Sequence, residues 1–346
     1  MVVMAQDLDE VQNGIQYAMR GIENWLLENE LELAVEKTEI VIVTSKKRVP
    51  IRDFLVLGRT IKPKPEIKYL GIWIDCKLNF NAHIRKTATK ASNAMTALGR
   101  LLPNIGGPQA SKRQIICSVS RSILLYAAPV WEEAMKHKCN RNIYERIQRQ
   151  SAMRICSSYR TVSTEAIQVI AEQPPIDLLI EHAAVISRVD HADKKEARER
   201  GWETLMEKWQ ARWQNGTHGR WTARLIPTIR PWMERKHGET DFYLTQMLTG
   251  HGCFKDFTYR INKSEDNECI YCGEIDTAEH TIFFCRHFKT DRDNCVHNTG
   301  TNITPDNIIE FMLRSKENWE VINRMITNIL KLKIIDEKET QEHPEY

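Results

Sequence analysis

Apolar residues recur at spacings of three and four near the start of the chain, at Leu8, Val11, Ile15, Met19, Ile22 and Leu26. That is the period of one helix face and predicts a helix to about Asn29. Asp7 and Glu10 have the spacing of a capping box, in which acidic side chains serve the free N–H groups of the first turn. The run EIVIVT at 39–44 is β-branched and unbroken, which predicts a strand buried on both faces. Residues 54–62, centred on Gly58-Arg59, predict a tight hairpin that Pro63 and Pro65 end. IKYLGIWID at 67–75 predicts one further strand, interrupted at Gly71 where a neighbouring or ligand backbone could come close.

From Phe80 the period lengthens. Ile84, Ala88, Ala91, Met95, Leu98 and Leu102 predict a helix, which Pro103 and Gly106-Gly107 stop. Helices are expected over 108–128 (closed by Pro129), 141–155, 165–182 and 185–213, with Pro174-Pro175 as a break, and one or two more over 305–332. The stretch 185–213 is dense in charge at helical spacing and reads as a solvated connector. The tail after Asp336 is polar and reads as frayed. The sum is an α+β fold: a helix with short antiparallel strands over 1–80, helices over 81–162, a helical connector over 163–242, a loop-rich region over 243–295 and C-terminal helices over 296–346.

Composition narrows the class. The 346 residues are 42% hydrophobic and 27% charged, enough apolar material for about two domains. No apolar run approaches the roughly 20 residues of a membrane span, and MVVMAQDLDEV lacks the pattern of a secretory signal. The nine cysteines are an odd number and mostly scattered. A reducing compartment is therefore expected, and with no secretory signal a protein that is not secreted. The net charge of +3 hides a polarity. Residues 82–165 carry 14 basic and 4 acidic side chains, whereas 251–346 carry 12 basic and 18 acidic. A polyanion is the natural partner of the first block.

Candidate chemistry gathers in one place. Cys269-x2-Cys272-x7-His280-x4-Cys285 offers four soft or borderline ligands and no carboxylate. Such a closed set favours a structural rather than a catalytic zinc, and Gly273 permits the turn beneath it. His287 could replace His280, Cys253 and His251 lie within folding reach, and Cys295 and His297 read as bystanders. Arg286, Lys289 and Arg292 follow nearby. Trp221 and Trp232 stand among Arg220, Arg224, Arg230 and Arg235, a mixture that can stack on unpaired bases, although tryptophans so placed more often belong to a core.

Four ordered segments together carry a family resemblance. LELAVEKTEIVIVT (31–44) resembles the palm segment called motif D, with Lys37 at its lysine, and KYLGIWID (68–75) resembles the primer-grip strand, motif E. LLYAAPVW (124–131) resembles a thumb signature, and YLTQMLTGHG (243–252) followed by the CCHC cluster resembles the C-terminal zinc-knuckle region. In that order they are similar to the end of the reverse transcriptase of insect non-LTR retrotransposons of the R1 and jockey-like clades. The resemblance implies a palm end, a basic helical thumb and a zinc knuckle, with RNA or an RNA–DNA hybrid as partner and neither a membrane nor a small-molecule cofactor involved. An intracellular place, nuclear or cytoplasmic, is implied by the resemblance alone. It places Lys68, Tyr69, Leu70 and Gly71 at the nucleic acid, and it makes Arg85, Lys86, Lys90, Arg100, Lys112, Arg113, Arg121, Arg141 and Arg149 the phosphate-contacting candidates of the thumb.

The same family carries a Tyr/Phe-x-Asp-Asp turn, expected just before the helix that starts at Asp7, and no Asp-Asp pair occurs in these 346 residues. Nucleotidyl transfer needs two Mg²⁺ ions held by fixed carboxylates. The expectation is a polypeptide inactive as a polymerase by itself, with no catalytic residue, Mg²⁺ belonging to the parent enzyme alone. Lys37, as the motif D general acid, then has no pyrophosphate to protonate and reads as a surface lysine. Two other readings stay open: a host-adopted binding module for nucleic acid or protein with no polymerase role, and an enzyme that recruits Asp7, Asp9 and Asp75 as new metal ligands.

Overall fold

The computed structural model describes residues 1–48 and 52–342. They are mostly helical, with two small antiparallel strand pairs, an α+β composition. They divide into two compact units, residues 1–87 with 133–140 and residues 88–132 with 141 onward.

In the first unit, helix α1 (Leu8–Glu28) starts where the capping residue predicts. Asp7 Oδ1 accepts from the N–H of Asp9 and of Glu10, each at 2.9 Å. Glu10 reaches back one residue further than a capping box does, to the N–H of Gln6 at 2.9 Å. Ile15 and Met19 are buried against Phe54 and Val56, with Leu8, Val11, Ile40 and Ile42 packed around them. Strands β1 (Phe54–Val56) and β2 (Arg59–Ile61) form the expected hairpin, its turn falling on Leu57-Gly58 rather than Gly58-Arg59. The Gln12 side-chain amide donates to Leu55 O and accepts from Leu55 N, both at 2.9 Å, which satisfies the backbone of an edge strand that would otherwise invite pairing.

Two strand expectations are corrected here. Residues 39–44 form no ladder: they run extended and make only isolated bonds, Thr44 N–H to Cys76 O at 3.0 Å and Lys64 N–H to Ile40 O at 2.7 Å. Their apolar side chains serve the α1 core from one side, so β-branching here reflects packing rather than a sheet. Residues 67–75 are not one strand but a hairpin, β3 (Glu66–Tyr69) paired with β4 (Ile72–Asp75). Its turn is Leu70-Gly71, with φ of 45° and 87°. Positive φ at both central positions is the two-residue turn that matches strand twist, so Gly71 marks a reversal and not an approach site. Lys86 of helix α2 (Asn81–Gly99) pairs with Glu66 and lies 3.3 Å from the centroid of the Trp73 ring, which fastens this hairpin to the helix.

The second unit is a helical assembly around one continuous core. Of the predicted α2 stripe, Met95 and Leu102 belong to it, and Ile84, Ala88 and Ala91 are buried too. Helix α3 (Ala110–Leu125) ends before Ala127, whose φ is 52°, and Pro129 sits inside the following single turn α4 (Ala128–Trp131). Helix α5 (Lys138–Ile155) begins a turn earlier than predicted. Pro174-Pro175 splits the next stretch into α6 (Thr164–Ile170) and α7 (Ile176–Ser187). Helix α8 (Lys194–Asn215) is no solvated connector: Leu205, Met206, Trp209 and Trp213 are buried in the core. Its charges stay at the surface and pair across to α7, as Arg212 does with Asp177 at 2.8 Å.

Short helices α9 (Arg220–Leu225), α10 (Ile229–Glu234), α11 (Phe242–Thr249) and α12 (Lys255–Arg260) lead to the cysteine-rich loop. Helices α13 (Lys289–Thr299), α14 (Ile308–Arg314) and α15 (Lys316–Glu342) follow it. The tail expected to fray after Asp336 continues instead as helix through Glu342, and 343–346 lie outside the described residues. Among the described residues no helix is long and apolar enough to cross a membrane.

Candidate metal centre

Cys269 and Cys272 sit on a knuckle that backbone bonds close: Cys269 N–H to Glu274 O at 2.7 Å and Gly273 N–H to Cys269 O at 2.9 Å, with Gly273 at φ 75°. His280 opens a wide turn, His280–Phe284, and Cys285 follows it with its N–H on His280 O at 2.7 Å. The ligand atoms of Cys269, Cys272, His280 and Cys285 all lie within 4.8 Å of one another. Cys269 Sγ is 3.8 Å and Cys272 Sγ 4.0 Å from Cys285 Sγ, and Cys272 Sγ is 3.2 Å from His280 Nε2.

These separations suit one tetrahedral ion. Bonds of ~2.3 Å from metal to sulfur put tetrahedral sulfurs about 3.8 Å apart. The protonation chemistry agrees. Burial pushes the Cys269 thiol up to about 12 and raises that of Cys285, so the cluster resists ionising by itself. The N–H groups of Tyr271 and His287, aimed at these sulfurs, favour thiolate. Burial lowers the pKa of His280, which favours the neutral ring that a metal needs. A cation would supply the charge that burial removes.

The alternative ligands are elsewhere engaged. His287 is exposed and stacks on the Tyr271 ring at 3.9 Å. His251 lies against Phe257, ring centroids 4.4 Å apart and tilted by 32°, with Nδ1 2.9 Å from Thr161 Oγ1. Cys295 is buried in the core, where Cys253 packs against it. Sequence reasoning missed the groups that frame the centre. Asp276, between the second and third ligands, is fully buried. Its Oδ1 accepts from Thr281 Oγ1 at 2.5 Å, and its Oδ2 accepts from Lys255 N–H and Lys333 Nζ, both at 2.7 Å. Lys333, also fully buried, pairs with Glu337 at 2.7 Å as well. Burial lowers the pKa of this ammonium, but the two carboxylates outweigh it and hold the pKa above its usual value.

The other predicted residues scatter. Lys37 is exposed in a single helical turn, Val35–Lys37. Lys68, Tyr69, Leu70 and Gly71 form the exposed tip of the β3–β4 hairpin. Arg85, Lys86, Lys90, Arg100, Lys112 and Arg121 are exposed, and Arg141 is half-buried. Arg113 departs from the set: it is buried, with Nε on Pro108 O at 2.6 Å, Nη1 on Arg154 O at 3.0 Å and Nη2 on Pro103 O. Arg149 Nη2 is held by Val162 O at 2.7 Å and by Arg160 O. The tryptophan and arginine mixture is core and ion pairs. Trp232 is buried, Trp221 donates to Met247 O at 2.7 Å, and Arg224 pairs with Glu279 and Asp306, each at 2.8 Å.

The acidic trio does not assemble. Asp7 caps α1, and Asp9 pairs with Arg52 at 2.6 Å. Asp75 is buried and accepts from the N–H groups of Lys77 at 2.9 Å, Asn79 at 3.3 Å and Phe80 at 2.7 Å. Its lone pairs are spent on the loop, and the Cys3His set is the one metal-type cluster among the described residues.

The chain is thus a mostly helical protein with a Cys3His cluster able to hold a metal ion, the one metal-type cluster among its described residues. Comparison with known proteins makes the reading more particular. The chain is 26% identical, over 92% of its own length and 86% of the relative's, to the Pol polyprotein of the type-1 retrotransposable element R1 2 of Nasonia vitripennis. It is 28% identical, over 79% of its length and 90% of the relative's, to the Pol polyprotein of an R1 element from the same wasp. It is 26% identical to the R1 Pol polyprotein of Bradysia coprophila over 68% of its length, but spans only 25% of that relative. No family model and no solved structure matches. The chain is thus R1-like over most of its length, which bears out the resemblance carried by its motifs.

Proposed function

We propose that the chain is a segment of an R1-like RNA-directed DNA polymerase that holds RNA or an RNA–DNA hybrid without extending it, and that its Cys3His centre takes a structural Zn²⁺. Metal set and relatives support the parentage. The observation that carries the binding role is the charge of residues 82–165, 14 basic against 4 acidic, with Lys90, Arg100, Lys112 and Arg121 among those exposed. Flexible cations on helices suit phosphates and carry no base readout, so binding is sequence-tolerant. The Zn²⁺ crosslinks a loop too small to fold alone and does no chemistry on the nucleic acid.

Fluorescence anisotropy with a labelled RNA–DNA hybrid tests the reading. With about six phosphate contacts, affinity falls roughly a thousandfold between about 50 and 200 mM salt. A dissociation constant that stays level over that range sinks the proposal.

A further inference from the structure

Asp276 stands at a junction. It lies in the loop between Cys272 and His280, and its buried carboxylate holds three separate pieces of chain: Thr281 beside the third ligand, the first N–H of α12, and Lys333 of α15. A second tie runs parallel, from Tyr271 Oη to Asp336 at 2.6 Å, and Tyr271 lies between the first two ligands. The end of α15 therefore touches the metal loop at two points, both with charged groups. Its earlier part is held differently: Trp319, Ile322, Ile326 and Ile329 are buried in the main apolar core.

We propose that the ion-bearing loop and the end of α15 form one cooperative unit joined by the Asp276–Lys333 pair, so that losing the ion releases residues 331–339, beyond the core residue Leu330, as well as the loop. The physical reason is the position of Lys333. Its ammonium is fully buried, and its other carboxylate partner among the described residues is Glu337, one turn along the same helix. A loop freed of its crosslink no longer fixes Asp276. A buried cation cannot stay in place with half its compensation gone. The helix end moves into water, where Lys333, Asp336 and Glu337 are all well solvated. This inference rests on the zinc reading above and names what that ion controls.

Hydrogen exchange of the full chain, with and without a zinc chelator, tests it, after metal analysis has shown about one zinc per chain. Chelation should speed amide exchange at least tenfold in both 265–285 and 331–339, while 319–326 stay protected. Chain purified without zinc, or a Cys269→Ser/Cys272→Ser variant that keeps its full metal content, defeats the zinc reading itself. A zinc-loaded chain whose loop opens on chelation while 331–339 keep their protection overturns the coupling alone. Asp276→Asn separates the two ends: it should keep its zinc yet exchange faster at 331–339. Equal protection there in the zinc-loaded variant also overturns the proposal.

Discussion

Lys112 and Arg113 are adjacent cations of the same basic helix, and replacing each by alanine should give opposite phenotypes. The Arg113 guanidinium fastens the segment before α3 to the end of α5, through Pro103 O and Pro108 O on one side and Arg154 O on the other. A hydrogen bond from a charged donor contributes about 1.5–3 kcal/mol. Three that share one side chain do not add in full, so Arg113→Ala should cost about 4 kcal/mol and leave buried carbonyls unserved. For a unit of this size that lowers the melting temperature by roughly 10 °C. Lys112 is exposed, and Lys112→Ala should change stability by less than about 0.5 kcal/mol. It should instead reduce the slope of log K against log salt by about 0.9, one phosphate contact. Differential scanning calorimetry and the anisotropy titration, run on both variants, give the comparison. If Arg113→Ala melts with the parent and weakens hybrid binding as Lys112→Ala does, the division of these two cations into strut and contact is wrong.

Two further outcomes follow from single contacts. Gly238 has φ +80° and lies against the Trp319 ring, where an added Cβ would come within 2.1 Å of a ring carbon. Trp319 in turn packs at 5.6 Å from Trp232, so Gly238→Ala should cost about 2–4 kcal/mol by thermal melting, and an unchanged midpoint would show that this packing yields freely. His83 is buried and accepts from the Trp73 N–H at 3.3 Å, and burial lowers its pKa from 6.5 to about 4. Between those values the unfolded chain takes up a proton that the folded one refuses. The contribution of His83 is therefore complete above pH 6.5, is lost as pH falls, and levels off below 4. Discounted for partial solvation it amounts to about 2 kcal/mol, and His83→Gln should remove that slope; an imidazole midpoint near 6.5 by NMR would contradict it.

The parts of this fold that sequence made legible are those ruled by local chemistry. The α1 start follows from Asp7, the α2 face from a clean period, and the Cys3His cluster from a spacing that a knuckle imposes whatever surrounds it. Misread elements failed for one shared reason: their fate was decided by distant partners. Residues 39–44 have strand composition but find the α1 core instead of a neighbouring strand. Helix α8 shows dense charge, and only the packing of α7 reveals that its tryptophans face inward. Leu70-Gly71 lacks the asparagine or aspartate usual at such turns, so a reversal looked like an interruption.

Charge is the hardest quantity to read in this way, because a cation does not announce whether it will meet water, a carbonyl or a carboxylate. Arg113, Arg235 and Lys333 resemble the surface lysines in sequence. Yet Arg113 holds three carbonyls, Arg235 pairs with Glu172 beside Trp232, and Lys333 joins the last helix to the metal loop. Each lies where separate stretches of chain meet, and burial of a charge is tolerated only where such a meeting supplies full compensation. The basic surplus of the chain thus overstates the surface it could offer to phosphates. The salt slope, which counts contacts and not residues, is the measurement that corrects it.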